Sequence, residues 1–193
     1  GMGIPDNGEI WHMLDQRFGI PPTLIEFTTL HSHDLSAYNV IILANGSPTE
    51  PLSPQALPKL KEWVENGGTL ITTGSAYKLT NKAKITDFKT LSQGKKKDKA
   101  EGNAHIEYQP YHNTAKSKSG IEGVIFNCHL DITSPLGYGY ENPNVAIMKN
   151  GTTVMDFSQI KGSSPMQYTK QPYLSGCVSL ENIKRISNAP ASI

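Results

Sequence analysis

The sequence predicts an α/β domain built as a three-layer open sheet with mostly parallel strands. Three observations predict it: the near-continuous apolar run Tyr38–Ala44, the amphipathic segment Ser53–Asn66, and a second apolar run, Thr69–Thr73, that leads through Gly74 into Ser75-Ala76-Tyr77-Lys78-Leu79. A strand that is apolar along its length suits a sheet covered on both faces. Strand, helix and strand joined by short connections is the βαβ signature. A chain of 193 residues is long enough to bury a core. The expectation is one domain over residues 1–193, reading as a fragment, with a polar insertion at about 81–120.

Each element follows from local pattern. Ile10, Trp11, Leu14 and Phe18 recur at helical spacing between Gly8 and Gly19, and Gly19 is a natural stop. Pro21 and Pro22 forbid further helix, so Thr23-Leu24-Ile25-Glu26-Phe27 reads as a short strand. In the Ser53–Asn66 helix, Ser53 serves as cap, Leu57, Leu60 and Val64 form one stripe, and Gly67-Gly68 ends it; Pro58 pushes its start a turn later. Residues 81–120 hold few large aliphatics. Their Lys95-Lys96-Lys97-Asp98-Lys99 run reads either as a basic patch for an acidic partner or, more simply, as a solvated loop. Gly123–Leu130 resumes strand character. Val145–Met148 and Thr152–Phe157 suggest a hairpin around Lys149-Asn150-Gly151, and Ser179–Ile186 a final helix.

Composition excludes some classes of partner. Eighteen basic against seventeen acidic residues give a net charge of +1, which offers no general field for nucleic acid or an anionic membrane. No apolar run approaches the roughly 18 residues a membrane helix needs, and no signal segment is visible at the amino terminus. Cys128 and Cys177 both stand in strand-like or apolar company, where free buried thiols are the rule, although a single disulfide is open to them.

Chemistry is sought first at the turn after the Thr69–Thr73 run, because ligands of open α/β sheets gather at strand carboxyl ends. Ser75 is the hydroxyl placed to act there as a nucleophile, with helix amides stabilising an oxyanion. No second glycine follows it, and serine before a helix is a routine cap. His105-Ile106-Glu107 has the spacing of the histidine and glutamate that activate the cysteine of class I amidotransferases, but no cysteine stands at the turn. His105 and His129 are therefore weak candidate bases for Ser75. His31-Ser32-His33-Asp34 brings two histidines and an acid together without a third ligand cluster, so no metal residue is assigned. His12-Met13-Leu14-Asp15 resembles half a zinc-helix motif, with Leu14 claimed by the apolar stripe. Tyr138, in the glycine-punctuated loop Asp131–Tyr140, joins Ser47 and Ser75 as candidate residues of a small-ligand or carbohydrate site at the strand ends.

Four segments carry a family resemblance: Gly8–Phe18, Leu35–Val40, Trp63–Ile71 and Ser134–Tyr140. In this order they resemble the class I glutamine amidotransferase-like accessory domain that follows the catalytic domain in bacterial zinc carboxypeptidases of the carboxypeptidase A type. The resemblance covers most of the chain outside residues 81–120. It implies a flavodoxin-like (amidotransferase-like) fold, no catalysis and no cofactor in this chain, and zinc in the peptidase domain of the parent. It further implies proteolysis as the parent's activity, that peptidase domain as partner, and a secreted or periplasmic parent; a homo-oligomer stays open. Two features depart from the pattern. The expected first apolar strand is missing before Gly1-Met2-Gly3-Ile4-Pro5, and the chain stops at Ala189–Ile193 where further strands are usual. The alternatives are a divergent serine hydrolase using Ser75, and the ligand-binding module.

Overall fold

The structure, a computed structural model, describes residues 4–46, 53–91, 120–160 and 162–192. The lysine run 95–99 lies outside the described residues. The chain packs as two units, Gly1–Asp87 and Phe88–Ile193, each with its own core.

The first unit contains α1 (Ile4–Trp11), continued by a π-helical stretch His12–Arg17, then β1 (Val40–Leu43), α2 (Ala56–Glu65), β2 (Thr69–Thr72) and α3 (Tyr77–Lys82). β1 and β2 pair in parallel, Val40 opposite Thr69 and Leu43 opposite Thr72, with α2 between them in the chain. The βαβ unit is therefore present. α2 carries Pro58 in its first turn, where its missing N–H is one the helix leaves unpaired anyway. The core gathers Leu30, Leu35, Leu43, Leu60, Trp63 and Ala76. Trp63 donates its indole N–H to the Tyr38 carbonyl at 3.1 Å, and Gly68 lies so close to the ring that a Cβ there would overlap it. A buried indole with its N–H satisfied contributes its full apolar area without an unpaired donor.

One sequence expectation fails here. Thr23–Phe27 forms no strand; Phe27–Ser32 is instead a 3-10 helix, closed by side-chain bonds of Thr29, Ser32 and both histidines to its own carbonyls. The stripe of the first helix also stays largely open: Trp11 is 39% exposed, Phe18 61%, and no residue of His12–Arg17 is buried. Helical periodicity shows which residues share a face, not what covers that face.

The second unit corrects the fold class. It contains β3 (Val124–Leu130), β4 (Asn144–Lys149), β5 (Met166–Ser175), α4 (Leu180–Ile186) and β6 (Pro190–Ser192). Its four strands form an antiparallel sheet in the order β4-β3-β5-β6, curled into a half-barrel. The three-layer, mostly parallel, flavodoxin-like sheet expected from the sequence is thus not formed; among the described residues parallel pairing is confined to β1 and β2. The reason lies in how β3 is buried. Val124, Phe126, Cys128 and Leu130 are buried, while Ile125 and His129 are exposed. Such alternation belongs to a sheet with one solvated face, which antiparallel strands tolerate and parallel crossovers do not. No α-helix separates β3, β4 and β5 among the described residues, so the crossover a parallel pair requires is missing.

The hairpin expected at residues 145–157 resolves differently. β4 pairs with β3, and Thr152–Phe157 contributes only an isolated bridge, Met155 to Thr90. β5 escaped the sequence reading because Pro172 interrupts it. Pro172 sits where the β5 register against β3 shifts and beyond the short pairing with β6, positions where a missing N–H costs little. Phe126 and Tyr168 meet edge to face at 5.7 Å in the centre of the core, with Ile121, Val154 and Ile186 around them.

Leu60 and Phe126 are both fully buried. Leu60→Ala and Phe126→Ala should each lower the unfolding free energy by about 3–4 kcal/mol in urea titrations; losses below about 1 kcal/mol would contradict these cores. Both cysteines are free, but Cys177 is exposed and Cys128 buried, where desolvation pushes its thiol up to about 12. A thiol reagent at pH 8 should therefore modify Cys177 in the folded protein and reach Cys128 only on unfolding. Equal reactivity of the two would contradict the packing.

Candidate functional site

The carboxyl ends of β1 and β2 meet at a turn held by one amide. The Thr73 N–H donates to the Leu43 carbonyl at 3.0 Å, which carries the ladder one step past β2. Asn45, two residues beyond β1, then takes over. Its backbone N–H donates to Thr73 Oγ1 at 2.9 Å. Its Oδ1 accepts from the Ser75 N–H at 2.8 Å and from the Ser75 hydroxyl at 2.9 Å. Its Nδ2 donates to the Asp6 carboxylate at 3.1 Å. The Gly46 N–H in turn donates to Ser75 Oγ at 3.2 Å.

Gly74 makes this approach feasible. It adopts φ +53°, and a Cβ there would overlap the Asn45 side chain. The glycine serves close contact with an asparagine rather than exposure of a nucleophile.

This geometry defines what Ser75 can do. A serine nucleophile must pass its proton to a base, usually an imidazole. Here the hydroxyl donates to a carboxamide oxygen, which is no base near neutral pH, and accepts from a backbone N–H. Ser75 thus fastens the end of β1 to the end of β2. His105 and Ser47 lie outside the described residues. His129 is exposed on β3 of the second unit, opposite Asn144 and Gln167, and Tyr138 is 69% exposed in the β3–β4 loop of that unit. Ser75 belongs to the first unit, and its bonded partners are Asn45 and Gly46.

The loop holding Tyr138 is ordered by its own polar side chains. Asp131 accepts from the Thr133 N–H and hydroxyl, which holds its carboxyl below the usual range, and Ser134 caps the turn Pro135–Gly137. Gly137 packs against the Asp131 carbonyl with no room for a Cβ. The result presents Leu136, Tyr138 and Tyr140 outward.

The histidine pair is similarly occupied. His31 and His33 each place Nδ1 on a backbone carbonyl, Thr28 at 3.1 Å and Thr29 at 2.9 Å. The Lys59 ammonium reaches the backbone carbonyls of both histidines. Among the described residues no group of three or more His, Cys, Asp or Glu side chains could hold a metal ion. A cleft of about 450 Å³ opens in the first unit between Leu57 and Pro58 of α2 and Lys82 and Lys84 near the end of α3. Lys61 also lines it and faces Glu65 at 3.6 Å one turn on, so its wall is partly neutralised.

Asn45 and Asp6 are the residues the sequence reading passed over. Asn45 was visible only as part of a turn, and its reach to Ser75 spans thirty residues that no local pattern connects. Neither a family model nor a curated protein nor a solved structure matches the chain.

Ser75→Ala removes the hydroxyl and leaves the Gly46 N–H without its acceptor, while Asn45 Oδ1 keeps the Ser75 N–H, so unfolding free energy should fall by about 1–2 kcal/mol in urea titration. A fluorophosphonate should leave the wild-type protein unlabelled; labelling that vanishes in Ser75→Ala would contradict the structural role.

Proposed function

We propose that the chain is a non-catalytic interaction domain that docks onto the peptidase domain of a zinc carboxypeptidase of the carboxypeptidase A type. The observation that carries the reading is the apolar surface left open along its first segment. Trp11, Phe18, Ile20 and Leu24 are exposed to 39%, 61%, 58% and 76% within one short stretch of chain. Large apolar side chains exposed together along one stretch of chain mark interaction surfaces when they gather into a patch. Aromatic side chains are also the residues that most often anchor an interface. Gly8–Phe18 is, in addition, one of the segments that carries the family resemblance.

The proteolytic chemistry in this reading belongs to the parent's zinc domain and not to this chain. The spent hydroxyl of Ser75 argues against the serine hydrolase alternative. A ligand module built on Ser47, Ser75 and Tyr138 gains no support, since Ser75 is committed to Asn45 and Gly46.

The test begins with the parent gene, which should encode a zinc-ligand motif upstream of Gly1. The isolated chain should show no carboxypeptidase turnover. It should bind that upstream domain in a sedimentation experiment, and Phe18→Glu should weaken the binding at least tenfold, the scale of an anchor residue. Hydrolysis by the chain alone, or an upstream region without zinc ligands, would overturn the proposal.

A further inference from the structure

Two cations in the second unit share one turn and have no carboxylate partner among the described residues. Lys149 closes β4, and its ammonium donates to the Thr153 carbonyl at 2.7 Å. Arg185 stands in the last turn of α4. It donates through Nη2 to the Thr152 carbonyl and through Nη1 to Asn182 Oδ1 at 3.3 Å. The two heads therefore hang from consecutive carbonyls. The turn that carries those carbonyls is itself held, by the Gly151 N–H on the Ile121 carbonyl at 2.7 Å and by Asn150 Oδ1 accepting from the Gly123 N–H at 2.6 Å.

Donor capacity is left over on both side chains. Of the guanidinium's five N–H groups two are used, and of the ammonium's three one is used. Arg185 Nε is buried with no hydrogen-bond partner. A buried donor without a partner forfeits its hydration and is uncommon enough to call for an explanation. Among the described residues the ion pair present is Lys61–Glu65, in the other unit; neither Lys149 nor Arg185 faces a carboxylate. Backbone carbonyls offset part of the desolvation of each cation, but they carry no net charge to offset the repulsion between them. That repulsion is felt: burial and the Arg185 charge together hold Lys149 below the usual lysine range.

We propose that Lys149 and Arg185 form a binding site for a small oxyanion of phosphate or carboxylate type. A planar guanidinium presents a fork that matches two oxygens of such an anion, and the ammonium supplies a third donor as a point charge. Both residues are only partly buried, and the unused Nη and Nζ hydrogens are the groups an approaching anion would engage. This inference is independent of the docking role proposed above.

The experiment uses the full chain, with inorganic phosphate and acetate as probes against sodium chloride at matched ionic strength. In wild-type protein, the Arg185 Nε–H resonance should shift saturably with phosphate, and the melting temperature should rise with it. Acetate reproducing both effects assigns the carboxylate class; acetate without effect assigns the phosphate class. Lys149→Met and Arg185→Met should lose the thermal response, and Arg185→Lys should retain part of it, since charge survives while the fork is lost. No saturable shift at Arg185 with either anion would overturn the site, whether or not the variants fold. An equal rise in melting temperature for wild type, Lys149→Met and Arg185→Met would overturn it too, since that is a bulk salt effect.

Discussion

The carboxamide of Asn45 is the constraint on which the first unit depends. One side chain closes the end of the parallel pair by accepting from Ser75 twice and by reaching Asp6 of α1, while its own N–H engages Thr73. A pair of parallel strands four residues long has few ladder bonds of its own. Its register, Val40 to Thr69, is therefore supported by polar contacts beyond the strand ends, as well as by Leu43, Leu60 and Trp63 packed beneath. Gly74 follows from the same constraint, since the Asn45 side chain occupies the space of a Cβ. What looks like the elbow of a hydrolase is a tie between two short strands.

The second unit reaches order by another route. Its sheet is antiparallel and hydrogen-bonded over longer strands, and its core is the alternating face of β3 filled by Tyr168 and Ile186. Bulges in the β3–β5 register let the sheet curl, because an extra residue on one strand sharpens the local twist. Curling brings α4 over the open side, where Ser179 caps the helix through the Asn182 N–H. The same closure brings Arg185 to the turn after β4 and so beside Lys149.

Local signals were readable in the sequence where one physical cause acts over a few residues. The runs at Tyr38–Ala44 and Thr69–Thr73, the helix ended by Gly67-Gly68, and the final helix at Ser179–Ile186 all became the elements expected. Strand direction was not readable, because Val-Ile-Phe-Asn-Cys-His-Leu is apolar enough to pass as a strand covered on both faces, and its partners lie far along the chain. β5 was hidden by Pro172 and by its polar outer face. Of the candidate site, Ser75 was found and its setting was not. A capping serine and a nucleophilic serine occupy the same position after a strand, and only the distant Asn45 separates them. The spacing of Trp11 and Phe18 shows a shared helical face but not that the face stays exposed.

The central claim is that the hydroxyl of Ser75 is spent on holding the turn. A double-mutant cycle on Asn45→Ala and Ser75→Ala, read as unfolding free energies, tests it most directly. The account predicts a coupling of about 1 kcal/mol, because the Ser75 hydroxyl and the Asn45 carboxamide share one bond that either change removes. Additive losses, with coupling below about 0.5 kcal/mol, would show that the two side chains act independently and would contradict it.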